Sequence, residues 1–384
     1  MATAVAVKPA LLAWAARRGR RDDASLAEKF DHYREWLAGE RVPSLSELTK
    51  FAEYTHTPFG LLFLPEPPDE PLPVPDFRTM ADGGPPDRPS ANLLDTIYAC
   101  QLRQSWYREY AVRQGFKSLP FVGSCTTRSD IHTVAEDVAA HLGFAVAQRD
   151  KLATREDTRQ FLIHACEELG VLVSATSVVG TNNTRRLDPQ EFRGFALADA
   201  VAPLIFVNGQ DTRAAQIFTL VHELAHIWAG QSALSDASPW AVSAHDSERW
   251  ANRVAAEVLA PRAALQSEYS GTLDGTELDR LAKRFKVSTL VVLTSLHDAG
   301  WVDWTRYREL YDAERARLLA ILATRQRTGG SAYNALPIRV GGRHFVWAVV
   351  TDTLGGDTLY KDAYSLLGIA SHATFETLAK KVIA

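Results

Sequence analysis

The chain has 384 residues, 46% hydrophobic and 23% charged, with a formal net charge of −4. That length suggests two or three domains, and that composition can bury a core, so global disorder is excluded. The near-neutral balance excludes a nucleic-acid polycation, and ordinary counts of 23 Gly and 18 Pro exclude collagen-like and low-complexity chains.

Cys100, Cys125 and Cys166 form no C-x-x-C motif and no even disulfide framework, which points to a reducing cytoplasm. The basic residues Arg17, Arg18, Arg20 and Arg21 follow the first apolar stretch, the reverse of a signal peptide. No run reaches about 18 apolar residues, so no membrane span is expected.

Residues 1–64 read as a unit of short helices. Leu11, Leu12 and Trp14 fall in the first. Ser25 reads as an N-cap with Glu28 at the capping-box position. Gly39 ends a helix, and Pro43-Ser44 opens another through Leu45, Leu48, Phe51 and Ala52. Residues 65–90 form a linker, since nine of the 18 prolines fall between Pro65 and Pro89. Such a strip is extended rather than helical. Val74 and Phe77 are apolar enough to dock on a neighbour, and the strip is placed to plug a cleft.

A central domain is expected over residues 91–325. Helical periods run through residues 91–170 and end at Gly170. Three short strands follow, at Val171–Ser174, Phe192–Leu197 and Leu204–Val207. A long helix spans Thr212 to about Ala229, with Asp211 as N-cap and Gly230 beyond its end. Another spans about Asp246–Leu259 and stops before Pro261. Residues 276–323 are helical again. The tail, residues 326–384, reads as a small α/β domain with a strand at Phe345–Val350 and a last helix at Thr374–Val382.

The long helix contains His222-Glu223-Leu224-Ala225-His226, an H-E-x-x-H motif. Residues four apart on a helix leave the same face one turn apart, so both imidazoles can reach one zinc ion. Glu223 sits beside the first ligand, where a carboxylate can take a proton from water. Phe218, Leu220, Val221, Leu224, Ile227 and Trp228 make the helix strongly apolar, so bare imidazoles inside it would be costly.

Catalytic zinc usually has three protein ligands. Glu248, near the start of the next helix, is the first candidate for the third, and His245 is its rival. Asn252, one turn after Glu248, is placed to hydrogen-bond a ligating imidazole. Glu257 lies on the opposite face and reads as a solvated charge. His245, Tyr269 and Arg253 are the candidate oxyanion donors.

The segment from Val207 to Gly230, followed by Glu248-Arg249-Trp250-Ala251-Asn252 and on to Pro261, resembles the ImmA/IrrE-type metallopeptidases. The resemblance implies an α+β fold with a zincin-like core and a small antiparallel sheet. It implies metal ligands at His222, His226 and Glu248, Zn2+ as cofactor, and Glu223 as the catalytic residue of a gluzincin-like endopeptidase. The implied substrate is a specific protein, a DNA-binding repressor or a toxin encoded nearby, in a stress, mobile-element or toxin–antitoxin setting. An extended substrate would pair with the strand at 192–197 if that strand is a sheet edge.

Trp36, Gly39-Glu40-Arg41 and Pro43-Ser44-Leu45 resemble an XRE-type helix-turn-helix. Only eight residues separate Ala27 from Trp36, fewer than that family has where its recognition helix lies. Residues 1–64 carry nine Lys/Arg and eight Asp/Glu, a weak footprint for DNA. Two alternatives to the peptidase therefore stand. One is an antitoxin or partner-binding regulator with a mainly structural metal site. The other is a metal-gated transcription factor.

Overall fold

The computed structural model describes residues 4–76, 88–235, 245–324 and 336–383. The chain divides into two compact units, Met1–Pro73 with Asp87–Ile97, and Val74–Pro86 with Tyr98–Ala384. Phe77 and the expected boundary at 325/326 lie outside the described residues.

The first unit holds α1 (Pro9–Arg18), α2 (Asp23–Lys29), α3 (Tyr33–Ala38), α4 (Leu45–Tyr54) and a 3-10 turn at Phe59–Phe63. Phe30, Tyr33, Trp36 and Phe51 pack ring to ring at its centre. The expected start at Ser44 holds, with a full capping box to Glu47. Gly39 ends α3 at a φ of 73°, a conformation that favours glycine. The cap of α2 is Asp22, not Ser25, because the Asp22 carboxylate already accepts the Ser25 backbone N–H.

Helix α5 (Ala91–Arg113) runs through the division between the units. In the second unit α6 (Ile131–His141) and α7 (Arg155–Glu168) lead into β1 (Leu172–Thr176), β2 (Gly194–Leu197) and β3 (Leu204–Asn208). Then come α8 (Arg213–Trp228), β4 (Ala233–Ser235), α9 (Asp246–Leu259), α10 (Arg262–Glu268), α11 (Gly275–Phe285), α12 (Thr289–Asp298) and α13 (Trp304–Thr324).

The sheet runs β1-β3-β2-β4. It is mixed, not purely antiparallel as expected: β1 pairs in parallel with β3, and the other pairs are antiparallel. A parallel pair needs a long crossover, and here the chain between β1 and β3 supplies it, carrying β2. Nor is the strand at 192–197 an edge, since β2 lies between β3 and β4. The free side of β1 is met by Gly341, and that of β4 by Asp76, so both edges are covered.

The sheet and α7 and α9 enclose α8. That helix is buried on every side from Gln216 to Trp228, its polar residues His222, Glu223 and His226 included. Its N-cap is Thr212, whose hydroxyl accepts the Ala215 N–H, rather than Asp211. Asp211 instead faces Arg193 at 3.2 Å. Buried Arg149 donates to the carbonyls of Val258 and Leu259 and so closes the C-terminus of α9.

The described part of the tail is helical: α14 (Leu336–Val340), α15 (Arg343–Gly355), α16 (Tyr360–Leu367) and α17 (His372–Ile383). The expected strand at Phe345–Val350 is therefore a helix. A short apolar run does not distinguish a buried strand from a buried helix by period. Packing decides it. Phe345 meets the Trp106 and Tyr107 rings of α5, Arg103 donates to the Leu366 carbonyl, and Arg113 pairs with Asp352 at 2.9 Å.

Glu277, in the first turn of α11, accepts from Arg280 Nε at 2.7 Å and from Ser270 N at 3.0 Å. The Arg280 hydrogen bond, with help from Ser270, holds its pKa down to about 2. Its stabilising effect is thus complete above the unfolded value near 4.3 and is lost as pH falls towards 2. Glu277→Gln is expected to cost about 1 kcal/mol at pH 7, a modest figure because Arg280 is half in solvent. The cost should vanish near pH 2. Urea unfolding of both proteins across that range checks it, and a pH-independent difference would contradict it.

Candidate metal centre

Helix α8 presents His222 and His226 one turn apart, and α9 brings Glu248 against them from its first turn. The apolar stripe of α9 at Trp250, Ala251, Val254, Ala255 and Val258 is buried, with two alanines that permit close approach to α8. His222 Nε2 stands 3.2 Å from Glu248 Oε2, and His226 Nε2 stands 2.9 Å from Glu248 Oε1. The two Nε2 atoms are 3.1 Å apart.

These separations suit a metal. Ligands placed tetrahedrally at about 2.0–2.1 Å from zinc lie roughly 3.3 Å from one another. Among the described residues this is the one group of three such side chains close enough to share an ion. Two imidazoles and a carboxylate are a donor set zinc accepts. His222 Nδ1 and Glu223 Oε1 are buried without hydrogen-bond partners among the described residues.

All four residues are nearly sealed from solvent, at 0% exposure for His222, Glu223 and His226 and 3% for Glu248. Burial beside the Glu248 charge pushes the Glu223 carboxyl well above the usual range. Burial also acts to raise Glu248, but its contacts with His222 and His226 outweigh this and hold it below the usual range. His226 is pushed down by burial, against the pull of its bond to Glu248.

His245 is not part of the group; it is the residue at the N-terminal boundary of α9. Asn252 lies half-buried one turn after Glu248. Its Oδ1 has no partner among the described residues, so the expected bond from an imidazole to that oxygen is not made. Glu257 is not simply solvated: it accepts from the Arg262 N–H and pairs with His132 at 3.1 Å. Tyr269 stacks on Trp301, and Arg253 is exposed.

Two residues escaped the reading of the sequence. Ser235, the last residue of β4, is fully buried, with its hydroxyl 3.5 Å from Glu223 Oε2 and 3.4 Å from Glu248 Oε1. It is the polar neighbour shared by both carboxylates, and nothing in a short Leu-Ser run announces that.

Gly194 is the second. A Cβ there would lie 2.5 Å from Thr219 Cγ2, 2.8 Å from the Phe206 carbonyl oxygen and 2.9 Å from Glu223 Oε1. A glycine inside a strand is a signal of close approach, and here it makes room for the Glu223 carboxylate. Gly194→Ala should destabilise the chain by about 1–3 kcal/mol through overpacking. It should lower any activity that depends on Glu223 more than it lowers zinc affinity. Thermal unfolding with a zinc titration checks this; an unchanged melting temperature would contradict it.

Residues 166–297 match the family model described as the IrrE N-terminal-like domain, Peptidase_M78. The match runs from α7 to α12 and contains His222, Glu223, His226 and Glu248. It supports a metallopeptidase of the IrrE/ImmA type, and hence a protein substrate. Residues 342–381, which take in α15, α16 and most of α17, match a domain of unknown function, DUF8813. No curated protein is similar enough to the chain to match. No helix among the described residues is long and apolar enough to cross a membrane.

Proposed function

We propose that the chain is a zinc-dependent endopeptidase that cuts a specific regulatory protein in the cytoplasm of a cell with a stress, mobile-element or toxin–antitoxin system. The observation that carries this is the cluster of His222, His226 and Glu248, with the two Nε2 atoms 3.1 Å apart and each within 3.2 Å of one Glu248 oxygen, beside a carboxylate that is no part of it. A purely structural site needs ligands alone, usually four of them, and has no use for Glu223.

Zinc held by His222, His226 and Glu248 would polarise a peptide carbonyl and make water easier to ionise. The rest falls to the chain. Glu223 takes a proton from the water as its oxygen adds to the carbonyl carbon. The same carboxyl then gives that proton to the amide nitrogen as the C–N bond breaks, releasing an amine and an acid. A carboxyl whose proton affinity is raised by burial suits both halves of this exchange. Ser235 keeps its carboxylate oriented.

A second reading is favoured by one observation, the near-complete burial of the four site residues. It makes the chain an antitoxin or partner-binding regulator whose metal site is mainly structural. The N-terminal unit fits a packing or partner-binding role better than DNA reading. In the place of a recognition helix, α3 has six residues and buries Tyr33 and Trp36.

The test uses the zinc-loaded chain and Glu223→Gln, each mixed with the product of the adjacent gene. Cleavage seen by intact mass with the wild type alone supports the peptidase. A stable uncut complex with both forms supports the second reading.

A further inference from the structure

The helix that carries both histidines ends on a turn that fixes the residue beside one of them. Gly230 follows α8 in the left-handed conformation, at a φ of 66°. Its N–H donates to the Ile227 carbonyl at 3.0 Å, and the Gln231 N–H donates to the His226 carbonyl at 2.9 Å. This nested pair of bonds is a Schellman turn, whose last residue folds back over the third residue from the helix end. Here those two residues are Gln231 and His226.

Both flanks of the turn are held. The Gly123 N–H donates to the Ile227 carbonyl and the Cys125 N–H to the Trp228 carbonyl, each at 3.2 Å. Beyond the turn, the Ser232 hydroxyl accepts from the Ala198 N–H at 2.9 Å, and Ala233 enters β4. The backbone of Gln231 is therefore set from either side.

The side-chain oxygen of Gln231 is buried and meets no donor at full hydrogen-bond geometry among the described residues. A buried amide oxygen is costly unless a donor reaches it. The donor at hand is the His226 ring. Gln231 acts on that imidazole as an acceptor and favours its protonated form, against the burial that disfavours it. His226 Nε2 is turned to Glu248, 2.9 Å away, on the side where the three ligands converge. The nitrogen on the other side of the ring is Nδ1.

We propose that Gln231 is a positioning residue of the metal centre: with Nε2 directed to the metal, the His226 Nδ1–H donates to the Gln231 side-chain oxygen, which fixes the tautomer and the tilt of the ring. A ligating histidine typically donates its other ring N–H in this way, and the partner both orients the ring and makes it a better ligand. An amide suits the place. Glu223 and Glu248 already bring two buried carboxyl groups to the site, and a third acid would add to their repulsion. The role expected of Asn252 in α9 thus falls to a residue just past the end of α8. The proposal rests on the zinc site of the peptidase reading and not on hydrolysis.

The test uses the full zinc-loaded chain and Gln231→Leu, which keeps most of the bulk and loses the acceptor. Zinc affinity, read by competition with a chromophoric chelator, should fall by about 10–100-fold. In nitrogen-15 spectra of the zinc-loaded wild type, the His226 Nδ1 proton should exchange slowly with water. In Gln231→Leu it should exchange at least about tenfold faster. Gln231→Glu keeps an oxygen at the same reach and should hold zinc at least as tightly as wild type, with the slow proton retained. Gln231→Met, close to glutamine in shape, replaces Gln231→Leu if that variant does not fold.

Unchanged zinc affinity, or an Nδ1 proton indifferent to Gln231→Leu, would overturn the proposal, as would a wild type that takes up no zinc. An equal loss in Gln231→Glu would overturn it too, and would leave residue 231 with packing alone. A chain that cleaves nothing yet shows both effects would leave the proposal standing and count against the peptidase. Cleavage with neither effect would do the reverse.

Discussion

Glu223→Gln is expected to lower turnover by about 10²–10⁴-fold, the range that a positioned acid–base group contributes. The loss should fall on turnover, since Glu223 is not one of the three residues grouped as metal ligands. Zinc should remain bound at one ion per chain with little change in affinity. The substitution keeps the side chain's shape, so the Ser235 contact survives while the capacity to take and return a proton is lost. Turnover and zinc content measured on the same preparation check this. A variant that loses its zinc would make Glu223 a ligand, and one that keeps full activity would remove it from the chemistry.

Glu248→Ala is expected to produce the opposite pattern. It deletes the side chain that bridges His222 and His226, at 3.2 and 2.9 Å. Removing even a supporting residue around a bound metal typically costs about 10–100-fold in affinity, so loss of a ligand should exceed that. The stabilisation that zinc confers on the folded chain is set by its concentration over its dissociation constant, about 4 kcal/mol at a thousandfold excess. The wild-type melting temperature should therefore rise on adding zinc, and that of Glu248→Ala should not at the same concentration. Equal rises would place the third ligand elsewhere.

Much of the metal centre was legible in the sequence because its parts are local. His222 and His226 lie four apart on a helix, and that spacing alone puts them on one face. Glu248 begins an alanine-bearing helix, and such a helix packs closely. What could not be read is how separate segments meet. Ser235 reaches the two carboxylates only because β4 folds back onto β2. That same pairing makes β2 an inner strand and moves the edge one strand outward. Nor does composition alone announce that Pro75 and Asp76 lie along that edge.

The fold shows the same division. The three strands before α8 and the helices around it follow from periodicity and from Gly170, Gly230 and Pro261 as stops. The run from Phe345 to Val350 failed because β-branched and aromatic residues fit a strand and a buried helix equally, and Trp106 and Tyr107 of α5 decided the outcome. The caps at Asp22 and Thr212 were missed by three residues and by one. In each case two neighbouring side chains could cap, and the one that accepts the N–H three residues on is Asp22 in α2 and Thr212 in α8.

The most direct test of the central claim is zinc-edge X-ray absorption on the chain loaded with one zinc ion. Two imidazole nitrogens and carboxylate oxygen at about 2.0–2.1 Å are expected, with no sulfur. A small thiol added afterwards should introduce one sulfur at about 2.3 Å, the mark of the open position that catalysis needs. Cysteine sulfur in the starting spectrum, or a four-ligand protein site that the thiol leaves unchanged, would contradict a catalytic zinc at His222, His226 and Glu248.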